Sequence, residues 1–386
     1  MSSAAVQGAD LSASVQDALK RGDPKAALAL IVEAERAQPR EVALKLQRAM
    51  VNRAMGDLGG ALAALEEALD IDPYDYVALL SKGAIVERLR GERAATAVYK
   101  NALKIVPADL PAPLVGPTER ARQVVARTME ALEAHLRERT RAVNADCSEE
   151  ARRRFDESVG VYAGRTKVYV QEPLMLHYPR LPAIPFYDRS LFPWMAELEA
   201  ATDTIREELA GAMATAQDDF APYIAFPKGI PVNQWGELNH SRRWSSFFLW
   251  KDGARQDGAC ALCPKTAGLL ERLPLAYQPG FAPTAMFSAL DAKTRIPPHT
   301  GSANVRLLCH LPLILPGPAR FRVGNETREW KMGEAWVFDD TIEHEAWNDA
   351  DELRVILIFD LWNPFLDEGE RELINAMMAA RNEFFA

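Results

Sequence analysis

Two different spacings of apolar residues divide the chain into two parts. In the first part, apolar positions recur with the period of amphipathic helices, and the pattern repeats at intervals of 34 residues over residues 12–107. Glycine stands in the turn between the two predicted helices of each unit, and proline follows the second helix. The equivalent positions are Ala34, Ala68 and Ala102, together with Pro39, Pro73 and Pro107. This regularity predicts helical repeats over residues 12–115 in preference to a plain helical bundle.

A 34-residue period with alanine and proline at these positions is typical of tetratricopeptide repeats (TPR). Repeats of this kind stack into a solenoid whose concave face commonly binds peptides or proteins. We therefore expect the repeat region to engage a peptide or protein substrate, or a separate partner. Buttressing of the domain that follows, or self-association, is the alternative role.

In the second part, short apolar runs are separated by turns that contain glycine, asparagine or proline. The predicted strands are residues 244–250, 306–315, 320–323, 329–330, 335–338 and 354–361. Short strands at close spacing predict an antiparallel sandwich or barrel. A jelly roll leaves room between its two sheets for a small ligand and a metal ion.

Proline-rich and charged segments mark the predicted domain boundaries. The proline-rich residues 107–117 predict a stiff linker. Helices are predicted at residues 118–143, 149–162, 190–216 and 265–273. We expect a disordered N-terminus at 1–11, TPR-like repeats at 12–115, linker helices at 116–167 and a jelly-roll domain at 168–386.

Composition and charge exclude several classes of function. The chain of 386 residues is 48% hydrophobic and 26% charged, which is ordinary for a globular protein, and its net charge is −9. Because no general basic surface is predicted, we expect no nucleic-acid partner. The sequence contains no apolar run long enough to span a membrane and no signal-peptide core. We therefore expect a cytoplasmic protein.

Three of the six histidines, His299, His310 and His344, fall among the predicted strands. Neutral imidazole binds Fe, Zn, Cu and Ni, and non-haem Fe(II) oxygenases hold their metal with two histidines and one carboxylate. That carboxylate usually comes two residues after the first histidine, where this chain has Gly301. Water, or a nearby acid, must then take the third position. The candidate acids are Asp339, Asp340 and Glu345.

The motifs of this stretch, in their order and spacing, resemble the aspartyl/asparaginyl β-hydroxylase family of 2-oxoglutarate oxygenases. They are His299-Thr300-Gly301, Arg306, His310, His344-Glu345-Ala346-Trp347 and Arg354. The resemblance implies a double-stranded β-helix (a jelly-roll, cupin-like core) in a chain of the multidomain α plus β class. It also implies Fe(II) held by two histidines, with glycine in place of the acid. For this reason we favour water as the third ligand.

The resemblance also assigns roles to individual residues. It implies that His299 and His344 bind the iron, and that Arg354 holds the distal carboxylate of 2-oxoglutarate. Ser288 and His310 would contact the same cosubstrate, and O2 would be the second cosubstrate. An arginine suits a carboxylate because its planar fork is always charged.

Arg306 would then lie near the substrate's carboxylate, although a structural salt bridge is an almost equal alternative. Animal members of the family have a second arginine two residues later, where this chain has Leu308. This difference concerns the substrate contacts and leaves the predicted iron site unchanged.

Two of the four cysteines, Cys260 and Cys263, have the spacing of a metal or redox pair. A four-ligand zinc site requires a second pair, which the sequence lacks. A reversible disulfide and reduced thiols are the remaining interpretations, and a cytoplasmic setting favours thiols.

The predicted function is therefore an Fe(II)- and 2-oxoglutarate-dependent dioxygenase that hydroxylates the β-carbon of Asp or Asn residues in a peptide or protein. One alternative is a hydroxylase of a free amino acid, another small molecule or a lipid acyl chain. A halogenase that uses the vacant ligand position is another. The last is a TPR scaffold with an idle oxygenase domain.

Overall fold

The structure, a computed structural model, describes residues 3–386, of which residues 3–10 and 12 are described by their backbone only. The chain divides into two compact units, one that ends at Thr166 and one that spans Lys167–Ala386. The boundary lies next to the predicted start of the second domain at residue 168. Within the described part of the chain, no helix combines the length and apolarity needed to cross a membrane.

The first unit is entirely helical. Its helices are α1 (Ser3–Lys20), α2 (Pro24–Ala37), α3 (Val42–Ala54), α4 (Leu58–Ile71), α5 (Tyr76–Arg90), α6 (Glu92–Leu103), α7 (Ala112–Ala145) and α8 (Glu149–Tyr162). Successive helices α1 to α6 form the three predicted pairs, so the TPR-like solenoid is confirmed.

Local chemistry explains where the repeat helices begin and how closely they pack. Asp23, Asp57 and Asp75 cap α2, α4 and α5, since each side chain accepts a hydrogen bond from a backbone N–H three residues later. Such a cap contributes about 1 kcal/mol. Gly83 of α5 lies against the ring of Tyr99 in α6, where a Cβ atom would overlap the ring. The small residues of the repeat thus allow the paired helices to touch.

Two sequence predictions for this unit are corrected. Disorder was expected over residues 1–11; residues 1 and 2 lie outside the described part, and α1 already begins at Ser3 because its alanines favour a helix. The stiff linker at residues 107–117 is shorter than predicted, since α7 begins at Ala112. Pro113 lies in its first turn, where a missing N–H is tolerated.

The second unit contains two antiparallel sheets and five α-helices. Its strands are β1 (Ala221–Pro222), β2 (Trp244–Lys251), β3 (Ala254–Arg255), β4 (Ala285–Leu290), β5 (Thr294–His299), β6 (Arg306–Ile314), β7 (Ala319–Val323), β8 (Glu326–Glu329), β9 (Trp336–Phe338), β10 (His344–Asn348) and β11 (Arg354–Trp362). The helices are α9 (Met195–Ala200), α10 (Thr202–Thr215), α11 (Asp257–Leu262), α12 (Pro264–Leu270) and α13 (Glu368–Phe385).

The strands form the predicted jelly roll. The larger sheet has the order β1-β2-β4-β11-β6-β9, with β3 paired to β2, and the smaller sheet has the order β5-β10-β7-β8. One face of the larger sheet packs on α9 to α12 through a core that includes Leu209, Phe287 and Leu357. Its other face meets the smaller sheet through a second core that includes Phe321 and Ile356. The candidate residues lie in this second layer, between the sheets.

Most strand predictions match within one or two residues, but two segments differ. The predicted strand at residues 329–330 is the end of β8, which begins at Glu326. The predicted helix at residues 190–216 is divided into a short 3-10 helix (Arg189–Leu191), α9 and α10. Pro193 explains the first break, because proline cannot donate to a preceding turn.

The Cys260–Cys263 pair lies at α11 as two buried, unbonded thiols. The Cys260 Sγ atom lies 3.4 Å from the backbone oxygen of Leu249. Burial raises the pKa of both thiols, that of Cys263 to about 12. This agrees with reduced thiols that serve packing, and the described residues contain no group of three or more His, Cys, Asp or Glu arranged to hold a metal.

Candidate active site

His299 and His344 face each other at the ends of two neighbouring strands. They are direct partners in the β5–β10 register, and their ring centroids lie 4.1 Å apart. The His299 Nδ1–H donates to the Pro297 carbonyl at 2.8 Å, and the His344 Nδ1–H donates to the Ile342 carbonyl at 3.0 Å. Both Nε2 lone pairs are therefore left free for a metal, as in histidine ligands oriented by a backbone carbonyl.

The surroundings of the two imidazoles keep them neutral. Burial lowers the pKa of His299, and burial together with the neighbouring His299 ring lowers the pKa of His344 well below its usual value. A neutral imidazole is the form that binds a divalent transition metal. The donor set thus fits Fe(II) with two protein ligands and further positions open to small molecules.

Gly301 leaves room for the side chain of Asp340. A Cβ atom at residue 301 would overlap the Asp340 carboxyl group, so this carboxyl occupies the space that a side chain at 301 would need. Asp340 is 5% exposed, and its Oδ1 atom has no hydrogen-bond partner. Burial raises its pKa to about 7 against the opposite effect of Arg306. The predicted candidate Asp340 thus lies beside the pair, while Asp339 and Glu345 bond elsewhere.

Gly301→Ala should lower the stability of the second unit by about 1–3 kcal/mol, because a methyl group forces the Asp340 carboxyl out of its place. Thermal unfolding of the full chain measures the loss. The double variant Gly301→Ala/Asp340→Ala should regain most of it, since the overlapping carboxyl is then absent. Equal stability of Gly301→Ala and the unmodified chain would contradict this packing.

Arg354 presents a buried cation to the same cavity. Its side chain is among the largest that are fully buried, and its Nε and Nη1 atoms have no hydrogen-bond partner. The guanidinium lies over the Trp330 ring, with Cζ 4.5 Å from the ring centroid. Burial lowers the pKa of Arg354 to about 9, so the group remains charged at neutral pH. A buried charge without a partner is costly, which points to an anionic ligand.

Ser288 and His310 line the same cavity as Arg354, and their register partners on β11 lie two and four residues after Arg354, on the same face of the strand. Ser288 pairs with Ile356 of β11, and His310 pairs with Ile358. The Trp244 Nε1–H donates to the Ser288 hydroxyl at 3.1 Å, which leaves the Ser288 O–H free to donate to a ligand.

The ring of His310 is held by aromatic neighbours. Its centroid lies 4.6 Å from that of Phe338 and 5.0 Å from that of Phe321, and its Nδ1 atom has no partner. Burial, and secondarily Arg354, lowers its pKa well below the usual value, so the ring is neutral. Arg354, Ser288 and His310 together offer the hydrogen-bond donors that a carboxylate needs.

Arg306 lies at the start of β6 and already has an anionic partner. Its Nη1 donates to the Asp360 carboxylate of β11, and its guanidinium lies over the Phe281 ring with Cζ 4.6 Å from the centroid. Both charged side chains are buried. The sequence analysis left a substrate contact and a salt bridge open for Arg306. The salt bridge is present, and its partner Asp360 was not foreseen.

No role was predicted for Trp244 and Tyr223, whose aromatic rings pack together with that of Trp235 beside His299. The Trp235 ring meets the His299 ring edge-on, with centroids 5.0 Å apart, and Trp244 lies 6.4 Å from His299. The Tyr223 ring packs against Trp244 at a tilt of 36°, with ring centroids 4.3 Å apart. The dense tryptophan content of residues 235–250 was the available signal. These rings shield one side of the histidine pair.

All six predicted site residues line one cavity of about 320 Å³. They are Ser288, His299, Arg306, His310, His344 and Arg354. Its remaining wall is largely apolar and includes Met286, Leu308 and Ile358. Leu174 and Tyr223 also line it, and they are 76% and 39% exposed, so they mark its opening. The structure thus brings together every predicted site residue; their individual roles remain predictions.

The family model for aspartyl/asparaginyl β-hydroxylases matches residues 199–364, which contain every residue of the cavity wall except Leu174. Residues 199–364 therefore form a domain of the aspartyl/asparaginyl β-hydroxylase family. The match covers both sheets of the jelly roll, together with α10, α11 and α12, and excludes the helical repeats.

Two curated relatives illustrate the range of the family. Human aspartyl/asparaginyl beta-hydroxylase is 33% identical over 48% of this chain and 24% of its own length. The ornithine lipid ester-linked acyl 2-hydroxylase of Rhizobium tropici is 34% identical over 50% of this chain and 66% of its own length. The chain thus spans only a quarter of the human relative.

The helical repeats have similar solved structures. The first TPR of Spaghetti (RPAP3) bound to an HSP90 peptide aligns with 31% of this chain and 90% of its own, at 18% identity and a TM-score of 0.27.

Proposed function

We propose that residues 167–386 form an Fe(II)- and 2-oxoglutarate-dependent oxygenase that hydroxylates an aliphatic carbon. The observation that carries this proposal is the joint presence of two neutral, facing imidazoles and an unpartnered buried guanidinium in one cavity. The imidazoles suit the metal, and the guanidinium suits the carboxylate of an oxyacid. A scaffold with an idle domain would have no use for an uncompensated buried charge.

In this proposal His299 and His344 would hold Fe(II) through their Nε2 atoms, and water would take the place of a third protein ligand. When bound, Fe(II) supplies the redox centre at which O2 oxidises 2-oxoglutarate to succinate and CO2 and a substrate carbon–hydrogen bond to an alcohol. Asp340 is oriented by the backbone contact of its own carbonyl, which accepts from the Gly301 N–H at 2.6 Å.

The remaining residues bind and orient the cosubstrate. Arg354 pairs with the distal carboxylate of 2-oxoglutarate, and the Ser288 O–H donates to the same group. Because Trp244 already donates to the Ser288 oxygen, the hydroxyl hydrogen points away from that bond. Neutral His310 contacts the cosubstrate from β6. Trp235 and Trp244 exclude water from one side of His299.

The relatives' names indicate which carbon reacts. A β-carbon of an aspartyl or asparaginyl residue, and carbon 2 of an ester-linked acyl chain, are both methylenes bonded to a carbonyl carbon. We propose such a methylene as the reacting group, with an Asp or Asn residue of a peptide or protein as the first candidate. The helical repeats are proposed to bind that macromolecule or a separate partner.

A lipid acyl chain is the second candidate substrate, and the cavity wall favours it. Met286, Leu308 and Ile358 present apolar surface, and the exposed Leu174 extends this surface to the opening. Such a wall can bury methylene groups, each of which contributes about 0.8 kcal/mol.

Anaerobic titration tests the proposed function. Addition of Fe(II) and then 2-oxoglutarate to the metal-free protein should produce a visible metal-to-ligand charge-transfer band, because the cosubstrate chelates the metal. Addition of succinate in its place should produce none, since it lacks the 2-oxo group. Absence of the band with 2-oxoglutarate would overturn the oxygenase assignment and favour a scaffold.

A further inference from the structure

The charged side chains that line the cavity indicate whether the substrate group bound there is charged or neutral. Among the described residues that line the cavity, Arg306 and Arg354 are the permanent cations. Under the proposed function, Arg354 pairs with the distal carboxylate of 2-oxoglutarate. Arg306 is therefore the remaining cation for a substrate group.

Arg306 is already neutralised by acids of the fold. It is 9% exposed and pairs with Asp360, which is 1% exposed and also accepts the Thr284 N–H at 2.8 Å. Asp340 also lines the cavity and adds a second carboxyl without adding a cation. A substrate carboxylate in this region would meet two acids and one paired arginine. Like charges in a buried site disfavour the charged form of each group.

The unused hydrogen-bonding atoms of the same region fit an uncharged group with both a donor and an acceptor. The Arg306 Nε–H is a buried donor without a partner, and Asp340 Oδ1 is a buried acceptor without a partner. A primary carboxamide offers a carbonyl oxygen to the first and an N–H to the second. A carboxylate offers acceptors only, and so does an ester.

We infer, on the basis of the proposed function, that the reacting methylene carries a carboxamide, so that the site selects asparaginyl over aspartyl groups. In the balanced reaction, 2-oxoglutarate, O2 and the amide give succinate, CO2 and the β-hydroxy amide. One oxygen atom of O2 enters succinate, and the other is inserted into the carbon–hydrogen bond. The four electrons that O2 accepts come in equal pairs from 2-oxoglutarate and the substrate.

An isosteric pair of probes tests the selection. N-acetyl-asparagine methylamide and N-acetyl-aspartate methylamide differ only in the side-chain group. Two quantities are measured on the full chain: the perturbation of the anaerobic charge-transfer band, which reports binding, and succinate release with formation of hydroxylated product. Both should favour the amide by about tenfold or more, since a polar site rejects a ligand that leaves its groups unpaired.

Asp360→Asn removes the neutralising charge and keeps an oxygen that can accept from Arg306 and Thr284. The ratio of amide to acid in binding and turnover should fall by about tenfold, because Arg306 then offers an unbalanced positive charge. Asp349→Asn is the matched control. It weakens another arginine–aspartate pair, Arg320–Asp349, on the smaller sheet and outside the cavity, so the ratio should not change.

The outcomes distinguish failure of the proposed oxygenase function from failure of the carboxamide inference. No band in the unmodified protein overturns the proposed function. A normal band with equal use of both probes, preference for the acid, or use of neither overturns the carboxamide inference alone. Turnover confined to an ester-linked acyl lipid, presented as palmitoyl-lysophosphatidylcholine micelles, also overturns it. An unchanged ratio in Asp360→Asn would show that the Arg306–Asp360 pair does not set the selection.

Discussion

Replacement of His344 by alanine should abolish the charge-transfer band and lower kcat/KM for 2-oxoglutarate turnover by about a thousandfold or more. Two imidazoles, those of His299 and His344, are proposed to hold the metal, and the described residues contain no group of three or more His, Cys, Asp or Glu arranged to do so. Loss of one leaves a single protein ligand. Metal-assisted stabilisation of several kcal/mol is then lost, and each 1.36 kcal/mol corresponds to about a factor of ten in rate.

His135→Ala is the matched control for this variant. His135 is exposed on α7 in the first unit and lines no part of the cavity. Metal binding, the band and turnover should be unchanged in it. Thermal unfolding of both variants shows whether the second unit still folds. A His344→Ala protein that is folded and keeps full turnover would refute the two-histidine site.

Replacement of Arg354 by methionine should have opposite effects on binding and on stability. The affinity for 2-oxoglutarate should fall by about a hundredfold or more, because hydrogen bonds to charged groups contribute about 1.5–3 kcal/mol each and the guanidinium offers two free donors. The cosubstrate-free protein should unfold at an equal or higher temperature, since a buried charge without a partner is removed. Methionine keeps an apolar contact with Trp330.

Two controls distinguish the roles of charge and shape at residue 354. Arg354→Lys keeps a positive charge and loses the planar fork, so its 2-oxoglutarate affinity should lie between those of the unmodified protein and the methionine variant. Arg320→Met removes an arginine that is paired with Asp349 outside the cavity, and 2-oxoglutarate affinity should be unchanged. Marked destabilisation of Arg354→Met in the absence of 2-oxoglutarate would indicate a structural role for the arginine.

The parts of the fold that can be predicted from the sequence are those in which residue types recur at a regular spacing or form a continuous apolar run. The 34-residue spacing places Ala34, Ala68 and Ala102 in the second helix of each pair, α2, α4 and α6, and Ala68 and Ala102 are fully buried there. The strands that begin at Arg306 and Arg354 are predicted within one residue, because nearly continuous apolar runs are bounded by turns. Convergence of His299 and His344 follows once their strands are neighbours.

The parts that sequence does not predict depend on register between distant strands. Asp360 interrupts the apolar run of β11, and nothing local indicates that it faces Arg306 of β6. The overlap between Asp340 and the space above Gly301 is likewise a contact between a strand end and a distant turn. Both contacts change the interpretation of the site, since one neutralises a cation and the other places an acid beside the histidines.

Two helix boundaries were predicted wrongly for a different physical reason. The predicted helix at residues 190–216 had continuous amphipathic character, yet Pro193 and the turn at Ala201 divide it. The α7 helix begins at Ala112, further toward the N-terminus than predicted: Pro113 lies in its first turn, where a missing N–H is tolerated, and Pro117 lies inside the helix. Average periodicity does not resolve such single-residue effects.

The placement of tryptophan gives the chain an internal optical label. All eight tryptophans occur at or after residue 194, so the intrinsic indole emission of the full protein arises in the second unit. Trp235 touches a proposed metal ligand, Trp244 bonds to Ser288 and Trp330 lies under Arg354. Indole fluorescence can therefore follow occupation of the proposed metal and cosubstrate positions without any attached dye, because the helical repeats contain no tryptophan.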